Sequence, residues 1–187
     1  MTVSGRISIG LAAGVAVIAL AGGHAFTQGE VVDPASKPLP NPNPMVIKNW
    51  GMLPGGRTWG STAGVDIGPD GNVWAYDRCG TNTCAESTLD PIVTFDRRSG
   101  KLLASFGGGM IVFPHGMHGD RDGNVWVTDG QANKAGTMGH QVIKFSPGGK
   151  VLMRLGTAGV PGRGPDTFNE PNDVITAPNG DIFVADG

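Results

Sequence analysis

The sequence predicts an all-β fold, an incomplete β-propeller of about two and a half blades. One observation is a hairpin that occurs three times: Gly64 to Asp77 (GVDIGPDGNVWAYD), Gly116 to Asp129 (GMHGDRDGNVWVTD) and Asp173 to Asp186 (DVITAPNGDIFVAD). The turn residues Asp70 and Asp122 are 52 positions apart, and Asn179 follows 57 further on. A second observation is another hairpin between these, since Ile92 to Phe106 (IVTFDRRSGKLLASF) matches Val142 to Leu155 (VIKFSPGGKVLMRL). Two hairpins per period make a four-stranded antiparallel unit, and this period is that of a propeller blade. The third is composition: 32 Gly and 14 Pro among 187 residues suit short strands and tight turns.

Along the chain, Arg6 precedes an uncharged run from Ile7 to Leu20, and Gly23-His24-Ala25 offers small residues for a signal peptidase. Residues 1–25 therefore read as a signal peptide, which implies export to the periplasm or the exterior and no stable membrane insertion after cleavage. A membrane anchor is the alternative, but the apolar run is shorter than the roughly 20 residues that span a bilayer. Residues 26–44, with four prolines between Pro38 and Pro44, read as an extended linker. The propeller part is expected over 45–187: blade one at about 64–106, blade two at about 115–156, and the start of blade three at about 168–187. A propeller closes with about four to eight blades, so the chain reads as a fragment of a larger ring. A net charge of −2 gives no reason to expect nucleic acid as a partner.

Cys79 and Cys84 are the only cysteines, five positions apart in CGTNTC. Export favours a disulfide that stiffens the segment after Arg78, and two lone thiols cannot complete a tetrahedral metal site.

Repetition supplies an internal control for function. Val65, Met117 and Val174 are equivalent, as are Trp74, Trp126 and Phe183, and such recurrent apolar positions fill the space between blades. Asp77, Asp129 and Asp186 also recur and are expected to brace turns. Two residues break the pattern. His115 stands where the other blades have Ala63 and Asn172, and Arg78 stands where they have Gly130 and Gly187. Both are expected at one mouth of the channel, on neighbouring blades. His118 is three positions from His115 and so is expected on the opposite strand face. Like His140, which begins an outer strand, it reads as an ordinary packed or surface histidine.

The run Phe113-Pro114-His115-Gly116-Met117, with DRDGNVWVTDG, HQVIKFSPGGKVLMRLGTAGVPG and TFNEPNDVITAPNGDIFVADG, resembles the catalytic propeller of the peptidyl-α-hydroxyglycine α-amidating lyases, within the broader NHL-repeat group. The resemblance implies a six-bladed ring with a catalytic zinc ion held by three histidines from different blades. It also implies a structural calcium ion held partly by backbone carbonyls. His115 matches a zinc ligand, Val65 and Met117 match the calcium-binding carbonyls, and Arg78 matches a catalytic arginine. The family's tyrosine base and its other two zinc histidines would lie beyond Gly187, so the fragment alone is expected to be inactive. The substrate implied is a small or peptidyl α-hydroxyglycine, cleaved at C–N to an amide and glyoxylate. Two alternatives stand beside this reading: a non-catalytic NHL propeller that binds a protein or glycan, and a calcium-dependent hydrolase of the lactonase type. The latter needs channel-facing carboxylates and asparagines, of which Asn172 is one candidate.

Overall fold

The computed structural model describes residues 42–187. The expected signal peptide and most of the expected linker lie outside the described residues. Residues Val46–Gly187 form one compact unit. Its strands, in chain order, are β1 (Thr62–Ile67), β2 (Val73–Asp77), β3 (Ile92–Phe95), β4 (Leu102–Phe106), β5 (Pro114–Gly119), β6 (Val125–Asp129), β7 (Gln141–Phe145), β8 (Val151–Leu155), β9 (Pro171–Thr176) and β10 (Ile182–Asp186). They pair as two four-stranded antiparallel sheets, β1-β2-β3-β4 and β5-β6-β7-β8, and a two-stranded sheet of β9 and β10. The only helical segment among the described residues is a 3-10 turn at Pro54–Gly56.

The first strands of successive sheets meet one another, β1 against β5 and β5 against β9, which makes the sheets neighbouring blades of a propeller. Each opening hairpin turns in the same way. In the second, Gly123 adopts a φ of 84° that a side chain would disfavour, and Asp120 accepts from the Asp122 and Asn124 amides. Each first strand also carries an irregularity near its start, between Thr62 and Gly64, Pro114 and Met117, and Pro171 and Asp173. In β5, Pro114 faces Asp129 whereas Met117 faces Val127, so two residues of β5 oppose the single Thr128.

Alternation then fills the spaces between blades. Trp74, Tyr76 and Ile92 of blade one pack with Met117, Val125, Val127, Ile143 and Phe145 of blade two. Trp126 and Val142 of blade two pack with Val174 of the third hairpin. The recurrent apolar positions thus behave as the repeat implies wherever a neighbouring blade covers them. Val65 and Phe183 are exposed, because no blade within the described residues covers their faces. The face of blade one away from blade two is partly covered by Trp50 and Leu53, packed with Ala75, Val93 and Phe95.

The recurrent aspartates at the ends of β2, β6 and β10 each reach back about 17 residues to bind the amide of the segment that approaches the first strand of their own blade. Asp77 accepts from the Gly60 amide at 2.7 Å. Asp129 accepts from those of Val112 and Phe113 at 3.1 and 2.7 Å. Asp186 accepts from that of Asn169 at 2.7 Å. The carboxylates are structural braces. Asp129 is almost fully buried, and burial raises its pKa to about 6 against the opposing pull of the Phe113 and Val112 amides. The folded chain therefore binds this proton more tightly than the unfolded chain, whose aspartates ionise near about 3.9. The corresponding stability is full below about pH 4 and is lost as pH rises through about 6, a change of roughly 2 to 3 kcal/mol. Asp129→Asn keeps an acceptor for the two amides but removes this proton. Thermal unfolding should show a midpoint that falls between about pH 4 and 7 more steeply in the native protein than in the variant. Parallel profiles would contradict the assignment.

Cys79 and Cys84 are joined by a disulfide, with their Cα atoms 5.2 Å apart. The loop they close begins with left-handed backbone at Cys79 and Gly80, and Asp77 accepts from the Gly80 amide at 3.0 Å. Its far end is fixed to blade two, where the Cys84 amide and the Thr83 hydroxyl both donate to the Val112 carbonyl. Thiol titration of the unfolded protein should find no free thiol before reduction. Replacing both cysteines by serine should cost about 2 kcal/mol, the loop-closure value for so short a ring. Two reactive thiols before reduction would refute the bridge.

Candidate functional site

Arg78 follows the last residue of β2, and His115 is the second residue of β5. The Arg78 amide donates to the Ser61 carbonyl, which fixes where its side chain leaves the backbone. Its Nε donates to the Pro114 carbonyl at 2.9 Å, its Nη1 donates to Asn82 Oδ1 at 2.7 Å, and its Cζ lies 3.8 Å from the centre of the Phe113 ring. The Phe113 ring lies 6.2 Å from the His115 imidazole. Arg78 and His115, expected on one face of neighbouring blades, are thus both brought to one phenyl ring. Burial lowers the pKa of the guanidinium, which remains a cation because arginine does not deprotonate in proteins.

His115 Nδ1 lies 2.9 Å from the Asn172 carbonyl of β9. A carbonyl only accepts, so Nδ1 carries a proton, and in the neutral ring Nε2 keeps its lone pair. The following glycine permits this contact. A Cβ on Gly116 would sit 2.5 Å from the Asn172 carbonyl oxygen, so any larger residue would push β5 away from β9. Pro-His-Gly is therefore a geometric unit: the proline begins the strand, the bulge turns the imidazole, and the glycine brings its acceptor within reach.

Val65 and Met117 occupy equivalent positions of β1 and β5. Two residues after each, the Ile67 and Gly119 amides turn to the Asp66 carboxylate instead of to the paired strand. Main-chain groups alternate along a strand, so Val65 and Met117 present their carbonyls to the same unpaired inner edge. Among the described residues no group of three or more His, Cys, Asp or Glu side chains is placed to hold a metal ion.

His118 does not point away from His115. It reaches the same neighbour, with Nε2 3.0 Å from Thr176 Oγ1 of β9. Strict alternation would place residues three apart on opposite faces, but the bulge at His115 and Gly116 adds one residue and restores a common face. His118 also lies 3.8 Å from the Asp66 carboxylate and lines a cavity of about 420 Å³ with Asp120, Lys144 and Trp126. Burial would raise the Asp120 pKa, but the bonds from Lys144, Asn124 and Trp126 outweigh it and hold the group at about 2. His140 is buried and accepts from the Glu170 amide, a structural role.

Of three further residues at the site, Phe113 and Asn82 were not singled out from sequence, and Asn172, named there as an asparagine candidate, acts here through its main-chain carbonyl. A fourth, Tyr76, is the single tyrosine of the chain and breaks the repeat, since Thr128 and Ala185 stand in its place. Comparing VWAYD with VWVTD and IFVAD would have found it. It is wholly buried between the blades and donates to the Thr128 carbonyl at 3.3 Å. Burial, and then Asp129, raises its pKa well above the ordinary phenol value, so it is a neutral core residue.

No family model matches the chain. A probable peptidyl-α-hydroxyglycine α-amidating lyase of Caenorhabditis elegans is 32% identical over 152 residues, which cover 73% of this chain and 41% of that protein. Peptidyl-α-hydroxyglycine α-amidating lyase 2 of Drosophila melanogaster is 28% identical over 169 residues, 80% of this chain and 39% of that protein. Among solved structures, virginiamycin B lyase of Staphylococcus aureus superposes with a TM-score of 0.42 at 18% identity, covering 67% of this chain and 34% of that one. The chain spans about two fifths of the length of these curated relatives. Over most of its own length, the chain is a homologue of the peptidyl-α-hydroxyglycine α-amidating lyases.

Proposed function

We propose that the chain carries the Arg78–His115 part of a zinc-dependent lyase that cleaves a peptidyl or small N-acyl-α-hydroxyglycine into an amide and glyoxylate. One observation carries the reading: the bond from His115 Nδ1 to the Asn172 carbonyl leaves Nε2 of the neutral imidazole as a free lone pair, on a ring that neighbours the same Phe113 that carries the Arg78 guanidinium. Zinc ligands characteristically donate their second ring nitrogen in this way, so His115 fits as one imidazole ligand of the metal. The remaining ligands would come from outside the described residues, and the 187-residue chain by itself is expected to be inactive. When bound, zinc with an open position acidifies a coordinated hydroxyl.

In the reaction the substrate's hydroxyl loses its proton to a base, its oxygen becomes the aldehyde of glyoxylate, and the C–N bond breaks. The amide nitrogen leaves with the bonding pair and takes up a proton. Negative charge develops on oxygen and nitrogen as this proceeds. Arg78 meets that charge with a permanent cation. Its Nε and Nη1 are committed to Pro114 and Asn82, while Nη2 has no partner among the described residues. Asn172 keeps the imidazole in one tautomer and one orientation. The Val65 and Met117 carbonyls, on the inner edge, are the proposed calcium ligands with a structural role. Export to the periplasm or exterior is proposed from the N-terminal signal pattern, and no nucleic acid is proposed as a partner.

The test is metal content measured beside turnover of N-benzoyl-α-hydroxyglycine in the full-length protein. His115→Ala should lose zinc and abolish turnover with the unfolding midpoint preserved. Arg78→Ala should keep zinc and lose about a hundredfold in kcat, the scale of one lost oxyanion donor, about 3 kcal/mol. Full zinc occupancy in His115→Ala, or no zinc in the unsubstituted protein, would reject the lyase in favour of a non-catalytic binding propeller.

A further inference from the structure

We propose that Asn82 is a positioning residue: its side-chain carbonyl, presented by the Cys79–Cys84 loop, holds the Arg78 guanidinium in place over the Phe113 ring. The proposal rests on the reading of Arg78 as the cation that meets the developing charge. A guanidinium at the end of a flexible stem is useful only if its plane and its rotation within that plane are both fixed. Stacking on Phe113 fixes the plane. The Nε bond to Pro114 fixes one point, and the Nη1 bond to Asn82 at 2.7 Å fixes a second, which leaves Nη2 as the donor turned to a ligand.

Asn82 can do this because its loop is rigid on every side. The disulfide closes it, the Thr81 amide donates to the Arg78 carbonyl, and the Asp77 carboxylate holds the Gly80 amide. The Thr83 hydroxyl and Cys84 amide donate to the carbonyl of Val112, whose own amide is held by Asp129. The loop that aims Arg78 is therefore fastened to the same residue that sets the start of the His115 strand. Asn82 is exposed and makes no other hydrogen bond among the described residues, so its replacement leaves the core untouched.

The experiment reads the guanidinium directly and needs no activity. In the intact protein, exchange of the Arg78 Nε proton with water is followed by nitrogen-15 NMR, the resonance being assigned by its loss in Arg78→Lys. Asn82→Ala should accelerate this exchange about tenfold, the effect of losing a hydrogen bond to a charged group, and lower kcat by a similar factor. The KM, zinc content and unfolding midpoint should hold. Asn82→Asp keeps an acceptor for Nη1 and should restore the slow exchange. Unchanged exchange in Asn82→Ala overturns the proposal whether or not the protein is a lyase. Accelerated exchange in a protein without lyase turnover upholds the positioning and rejects the functional reading instead.

Discussion

The site depends on where β5 begins, and a buried carboxylate sets that point. Asp129 ends β6 and binds the amides of Val112 and Phe113 immediately before β5. Because the same contact is made by Asp77 to Gly60 and by Asp186 to Asn169, it is a property of the blade and not of the site. Function is built on the brace by changing single residues around it. Phe113, held by its amide, offers a ring to Arg78, and His115 follows two positions later on the bulge. A buried carboxylate is costly to ionise, and the Val112 and Phe113 amides offset that cost only in part, which leaves its pKa raised to about 6.

Two neighbouring blades and the third hairpin all contribute to the site. Blade one supplies Arg78 and the bridged loop, blade two supplies Phe113 and His115, and β9 supplies the Asn172 carbonyl. Their mutual placement follows from the close approach of the first strands, which glycine at 116 permits. A change that separates β5 from β9 would therefore free the imidazole without touching it.

The repeat made the ten strands legible, because alternating apolar residues around Asx-Gly or Gly-Asx turns leave little choice of element or order. Asking which residues fail to recur drew out Arg78 and His115, which the fold brings together. The bulge was not legible. Nothing in Pro114 to Gly119 signals an inserted residue, so simple alternation misplaced His118, which shares the β9-facing side with His115. Partners that are main-chain groups, such as the Asn172 carbonyl, leave no mark in a sequence. Asn82 was hidden for another reason: in CGTNTC the cysteines draw attention to the closure of the loop and away from what the loop presents. Phe183 looked like Trp74 and Trp126, but burial depends on a neighbour as well as on residue type, and its face is uncovered among the described residues.

The central claim is that neutral His115 is held as the tautomer with its proton on Nδ1, leaving Nε2 bare for a ligand. A long-range proton–nitrogen NMR spectrum of the imidazole tests this most directly, since the two ring nitrogens of a neutral histidine differ sharply according to which is protonated. The account predicts that the neutral imidazole of the metal-free protein carries its proton on Nδ1, with Nε2 unprotonated. A proton on Nε2, with Nδ1 bare and no bond to Asn172, would contradict it.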